Sequence, residues 1–205
     1  KNTVVGTAVV DMYAKCGLLN KAQQVLDGLC VRNKITWSAL ISGYAQQGQA
    51  REALTCFQQM QREGLDPDEV IFLCVLSACS HSGLLDESKM LFGDMTERYG
   101  ITPNLEHHTC MVSVFGFAGH FGKAMSIITS MSACDYPEVW LALLGACRKW
   151  GNVKLGILAF DQIVQLDNNC AAAYVFMAKI FAAAGMQEDA DKLEAIRLKY
   201  DVGEE

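Results

Sequence analysis

The sequence predicts an all-α chain, an α-solenoid of six stacked helical hairpins. An apolar helical run closed by a glycine, DMYAKCG ending at Gly17, returns five more times: SGYAQQG at Gly48, SACSHSG at Gly83, FGFAGHF with its second glycine at Gly119, ACRKWG at Gly151 and FAAAG at Gly185. The closing glycines stand 31, 35, 36, 32 and 34 residues apart. Periods of that size belong to helical pairs that bury their apolar faces only against neighbouring pairs. A second apolar pattern, at spacings of three and four, follows each glycine and marks one face of a second helix.

With each glycine at position 15, the units are 3–33, 34–68, 69–104, 105–136, 137–170 and 171–204. In each, a first helix runs up to the glycine, which tolerates the left-handed backbone that ends a helix, and a second helix follows. Five residues past the glycine come Ala22, Ala53, Ser88, Ala124, Gly156 and Ala190, all small. Nine past come Leu26, Phe57, Phe92, Ile128 and Phe160, and twelve past come Leu29, Met60, Met95, Met131 and Ile163. Small residues let the partner helix approach while the larger ones fill the space beside it. In the last unit Glu194 and Arg197 take the apolar places, as suits the polar outer face of a terminal repeat. The three prolines, Pro67, Pro103 and Pro137, all fall at unit boundaries, where a fixed φ favours a turn or a first helical residue.

Half the residues are hydrophobic (51%) and a fifth are charged, the composition of an ordered chain with a large core. A net charge of −6 argues against nucleic-acid binding through a broad basic surface, though not against reading a few bases in a narrow groove. The nine cysteines are odd in number, lack any C-x-x-C spacing and mostly sit at apolar helical positions, which reads as small core residues in a reducing compartment. No apolar run reaches the ~18–20 residues of a membrane span. The start at Lys1, without a methionine, points to a fragment whose targeting peptide would lie upstream.

The stretches DMYAKCGLLNKAQQVLDGL, ITWSALISGYAQQGQAREALTCFQQMQREGLDPDEV, VLSACSHSGLLDESKMLF and YGITPNLEHHTCMV resemble pentatricopeptide-repeat proteins of plant-type organelles. VWLALLGACRKWGNVKLG and AAAYVFMAKIFAAAG resemble the two extension motifs that follow the last repeat in that family's RNA-editing subclass. The resemblance divides the chain into four repeats (3–136) and two extension motifs (137–170 and 171–204), and implies a right-handed superhelix. It implies a non-enzymatic module for single-stranded RNA, without cofactor, in a mitochondrion or chloroplast. There it would recognise cytidine-to-uridine editing sites with a deaminase supplied elsewhere; the H-x-E…C-x-x-C pattern of a zinc deaminase does not occur here.

In that family one repeat reads one nucleotide, mainly through its fifth and last residues. The resemblance assigns those roles to Thr7 with Asn33, a pair for adenine, and to Ser38 with Asp68, a pair for guanine. Leu73 with Asn104 and Thr109 with Tyr136 do not suit the task. The second residue of each repeat sandwiches the base, for which Val4, Ile35 and Val70 are suitable and Glu106, Glu138 and Ala172 are not. Lys15 matches a phosphate-contacting lysine, a place that holds Gln46 and His81 in the next two repeats.

Other features have plainer readings. His107, His108 and Cys110 lack a second cysteine pair and do not make a zinc motif. Trp37, Phe72, Trp140 and Tyr174 all stand at position 4 and read as inter-helix packing; Trp150 is outside that pattern and is expected at the surface. The fourth unit holds only three charges, Glu106, Lys123 and Asp135. Its second helix is apolar nearly all round, so it is either a tighter core or, through Ala124, Ile127, Ile128 and Met131, a contact for a protein partner; the extension motifs are the other place for such a contact. The alternative to RNA reading is a scaffolding solenoid in a large organellar complex, motivated by that helix, the unsuitable pairs and a charge that is positive only in the first unit.

Overall fold

The computed structural model describes residues 3–130 and 135–201. Among these it has twelve α-helices and no strand: α1 (Thr3–Lys15), α2 (Leu19–Asp27), α3 (Lys34–Gln46), α4 (Ala50–Arg62), α5 (Glu69–Ser82), α6 (Leu85–Glu97), α7 (Leu105–Phe117), α8 (Phe121–Ser130), α9 (Pro137–Trp150), α10 (Val153–Leu166), α11 (Ala171–Ala183) and α12 (Gln187–Asp201). Consecutive helices pair as six hairpins. The six periodic glycines sit in the turns with φ between 64° and 79°, a conformation that an L side chain resists.

Packing gathers the helices into two compact units, Lys1–His107 and His108–Glu205. In the first, α1 lies on α3 and α3 on α5, while α2, α4 and α6 each pack on their own partner; α2 also reaches α3, and α4 reaches α5. In the second, α9 packs on α10 and α11 on α12, with α9 and α10 both touching α11. Each unit is thus a stretch of all-α solenoid whose hairpins bury one another.

The first helices approach closely because small residues face each other. A Cβ on Gly43 of α3 would stand 3.0 Å from the Cβ of Ala14 on α1 and 2.8 Å from Leu19. The second helices largely bury the expected face: Ala22, Leu26, Ala53, Phe57, Met60, Ser88, Met95, Gly156 and Ile163 are all inaccessible or nearly so. In α6 and α10 the middle of the face is rotated by one residue, with Leu91 and Ala159 buried and the expected Phe92 and Phe160 only half-buried. Each large side chain so buried contributes about 1.5–3 kcal/mol relative to exposure. Trp37, Phe72, Trp140 and Tyr174 are all buried; Phe72 meets Phe57 and Tyr99 edge-on at 5.5 Å, and Tyr174 meets Phe160 at 5.2 Å. Position 4 is a packing position.

In the fourth hairpin the core reading holds for two of the four side chains. Ala124 and Ile128 are completely buried and Ile127 is half-buried, while Met131 lies outside the described residues. Ala124 and Ile128 hold the same places after Gly119 as buried Ala22 and Leu26 hold after Gly17. They form core and offer no surface to a protein partner. In the last helix Arg197 and Glu194 pair through Nη2 and Oε1 at 2.6 Å, and the guanidinium hydrogen bonds lower the Glu194 pKa. Among the described residues no helix is long and apolar enough to cross a membrane.

Candidate nucleic-acid interface

The last residue of a unit is the N-cap of the next first helix. Asn33 precedes α3 with extended backbone (φ −116°, ψ 169°), and its Oδ1 accepts from the Thr36 backbone N–H at 2.9 Å. Asp68 precedes α5 in the same way, its Oδ1 accepting from the Ile71 N–H at 3.1 Å. Asn104 does the same for His107 N–H at 3.2 Å. Short polar side chains satisfy the orphan amides of a helix start, so a structural requirement alone selects Asn or Asp here. At Asn33 and Asp68 capping uses one side-chain oxygen and does not use the other terminal atom.

In the first pair the remaining atoms are ordered by a third residue. Thr36, fully buried, donates its hydroxyl to Asn33 Oδ1 at 2.7 Å, and its Oγ1 lies 2.9 Å from Thr7 Oγ1. With its own proton given to Asn33, Thr36 accepts from Thr7. The chain Thr7 to Thr36 to Asn33 therefore leaves Thr7 presenting oxygen lone pairs, and Asn33 presenting its amide N–H groups. The second pair has no such bridge, because Ile71 replaces Thr36 in the corresponding place. Asp68 Oδ2 faces Lys34 Nζ at 3.8 Å across an exposed gap, and Ser38 is half-buried on α3. Asp68 offers only acceptors; the Ser38 hydroxyl can donate or accept.

The three candidate sandwiching residues are exposed apolar side chains: Val4 at 76%, Ile35 at 67% and Val70 at 55%. Ile35 and Val70 are each followed by a fully buried residue, Thr36 and Ile71, whereas Val4 is followed by exposed Val5. Leu73 lines a cavity of about 420 Å³ between α3 and α5 with Ser42, Gln46, Cys74, Ser77 and His81, and offers no polar atom of its own to a base. Lys15 is exposed, with its ammonium 2.7 Å from Asp11 Oδ2 one turn back. An exposed pair of this kind is worth well under about 1 kcal/mol, so a phosphate can displace it.

Some residues of the interface escaped the sequence reading. Glu63 accepts from the Trp37 indole N–H at 3.0 Å and pairs with Arg32 Nη1 at 2.5 Å. Arg32 Nε in turn donates to the Leu26 carbonyl at 3.2 Å. This clamp holds the linker immediately before Asn33. Thr36 also escaped notice, as did Lys149, which stands in the fifth unit where Lys15 stands in the first. Thr7 and Thr36, and Arg32 and Glu63, are each about one period apart, so the spacing of the glycines was the signal that could have joined them.

His107 is buried, its Nδ1 2.6 Å from Asn104 Oδ1 and its Nε2 3.0 Å from the Glu69 carbonyl; it packs and caps. Among the described residues no group of three His, Cys, Asp or Glu side chains is gathered as for a metal. Burial pushes the Cys56 thiol up to about 12, with Asp27 and Glu52 adding to it, and burial pushes Cys147 up to about 12 as well. Such thiols stay protonated at neutral pH and are not activated nucleophiles.

Comparison with known proteins gives concordant results. The model described as "PPR repeat family" matches residues 32–70, and that described as "PPR repeat" matches residues 7–33 and 70–99. Two pentatricopeptide repeat-containing proteins of Arabidopsis thaliana, At4g16470 and At1g20230, are 42% and 38% identical over 98% of the chain. The chain spans 41% and 27% of their lengths. Among solved structures, maize PPR10 in complex with an 18-nt psaJ RNA element superposes with a TM-score of 0.77 at 16% identity, over 100% of the chain and 31% of that protein. The PPR domain of Arabidopsis thaliana protein-only RNase P 1 in complex with tRNA gives 0.63 at 17% identity, over 81% and 91%.

Proposed function

Because the chain belongs to the pentatricopeptide-repeat family, we propose that its first two hairpins bind single-stranded RNA and read one base each. The observation that carries this reading is the hydrogen-bond chain from Thr7 through Thr36 to Asn33. It fixes an acceptor at Thr7 and a donor at Asn33, the complement of the N6–H donor and N1 acceptor on the adenine Watson–Crick edge. At the second pair Asp68 suits the N1–H and N2–H donors of guanine, and the Ser38 hydroxyl can donate to O6. The exposed faces of Val4, Ile35 and Val70 give each base apolar contact above and below, and Lys15 neutralises a phosphate.

The solved PPR10 and RNase P complexes with RNA and the plant relatives support an RNA-processing role. At the finer level, we propose recognition of an organellar cytidine-to-uridine editing site, with residues 137–204 as extension motifs and the deaminase supplied by another protein. The scaffolding alternative loses two side chains of its apolar patch, Ala124 and Ile128, which are buried. The test exchanges the two last residues while keeping both N-caps. Asn33→Asp shifts the first position from adenine toward guanine, and Asp68→Asn shifts the second from guanine toward adenine, in binding to short single-stranded RNAs that differ at one base. Unchanged preference in both variants sinks the reading.

A further inference from the structure

A second surface, far from these pairs in sequence, carries an exposed aromatic platform. Trp150, the last residue of α9, keeps 54% of its surface exposed. It is nevertheless held in place. Its indole N–H donates to the Phe117 carbonyl at 3.2 Å, and its six-membered ring lies over the turn at Gly119, where a Cβ would be 3.5 Å from Cζ2. Lys149 Nζ donates to the same carbonyl at 3.0 Å and stands 5.6 Å from the Trp150 ring. The Arg148 guanidinium sits 4.4 Å over the Phe176 ring. Two bonds on one helix-terminal carbonyl fix the platform at the end of α7, and more than half of the Trp150 surface stays open to solvent.

Charge surrounds it selectively. Lys123 and Lys154, both exposed, lie in the first turns of α8 and α10, the turn ends of the same two hairpins. Residues 107–130 and 139–160 contain no Asp or Glu, in a chain of net charge −6. The patch stops at the next turn, where Glu188 and Asp189 follow Gly185. A rigid aromatic ring flanked by Arg and Lys is the arrangement that stacks an unpaired base and neutralises its phosphates.

We propose that Trp150, with Arg148, Lys149, Lys123 and Lys154, forms a second contact site for single-stranded RNA, one that stacks a base without reading it. It rests on the chain's binding RNA, but not on Thr7 and Asn33 doing the reading. Trp37 and Trp140 are buried, at 1% and 5% exposed, so a change in intrinsic tryptophan emission reports on Trp150. Polyadenylate and polyuridylate are expected to quench that emission, whereas heparin, a polyanion without bases, binds without quenching. Trp150→Leu, which keeps apolar bulk over Gly119, abolishes the quenching and weakens RNA binding about 5-fold or more; Trp150→Phe retains most of the binding. Replacing Arg148 and Lys149 by Gln lowers the salt dependence of binding by about one or two phosphates. Circular dichroism checks that each variant is folded. RNA binding without quenching, unaltered in Trp150→Leu, overturns the site, and if Asn33→Asp still changes base preference the reading of hairpins one and two stands. If Trp150→Leu weakens binding and Asn33→Asp changes nothing, that reading fails and this site stands. Absence of RNA binding by the unaltered chain overturns both.

Discussion

Thr7 and Thr36 touch through their hydroxyl oxygens, 2.9 Å apart, across neighbouring first helices. The contact joins a surface residue to a fully buried one, and the buried one to the helix cap at Asn33. On the proposed reading, base specificity at the first hairpin depends partly on a buried residue that RNA does not touch.

Thr36→Val tests this. Valine keeps the shape and the backbone N–H that Asn33 caps, but it frees the Thr7 hydroxyl to donate. Stability should fall by about 1 kcal/mol, the net worth of an ordinary hydrogen bond. Discrimination for adenine at the first position should fall about tenfold, corresponding to about 1.4 kcal/mol. Chemical denaturation and binding to RNAs differing at that base measure the two effects separately.

The clamp at Glu63 makes a different prediction. Glu63→Ala leaves the buried indole N–H of Trp37 without its acceptor and Arg32 without its carboxylate. The expected loss is about 1–3 kcal/mol, read as a lower urea midpoint. Glu63→Gln keeps an acceptor for the indole and should recover at least half of it.

Alkaline pH should weaken the fold before it weakens most helical proteins. Buried Cys56 and Cys147 stay protonated to about 12, whereas their ordinary value is 9.0. Tyr44 is raised as well, first by burial and then by Cys56, Glu52 and Asp27. Between those pH values the folded chain holds more protons than the unfolded one, so stability falls as pH rises above about 9. Thermal unfolding followed from pH 7 to 11 checks the sign. Thiol labelling at pH 8 should modify exposed Cys16 and Cys30 rapidly and leave buried Cys56, Cys79 and Cys147 intact.

Gly43 marks the closest approach of α3 to the first hairpin. Gly43→Ala would place a methyl group 3.0 Å from the Ala14 Cβ, and overpacking of this kind costs about 1–3 kcal/mol. Gly93→Ala is the control, since nothing lies within 4 Å of its added Cβ and alanine favours a helix by about 1 kcal/mol. Melting temperatures of the two variants should move in opposite directions.

Hairpin number, turn glycines and most of each buried face were legible in the chain, because each follows from local geometry repeated at one period; the one-residue rotation in α6 and α10 was not. The fourth hairpin shows where the pattern left a choice. Its second helix could be read as tighter core or as a partner contact, and burial places Ala124 and Ile128 in the core, as their places after Gly119, matching buried Ala22 and Leu26 after Gly17, already suggested. The candidate site was half legible. Asn33 and Asp68 could be named from the sequence, but the atom each presents depends on Thr36, Ile71 and Lys34.

The sequence by itself determined a six-hairpin all-α solenoid, since glycine spacing and helical apolar faces leave a chain of this composition no better way to bury its surface. Only the tertiary structure decided which hydroxyl donates at Thr7 and Thr36, which carboxylate holds Arg32 and Trp37, and that Trp150, expected at the surface, is held there by a hydrogen bond to the Phe117 carbonyl. Those outcomes depend on side chains one period apart meeting across hairpins, and the direction of a hydrogen bond is settled only when all of its partners are in place.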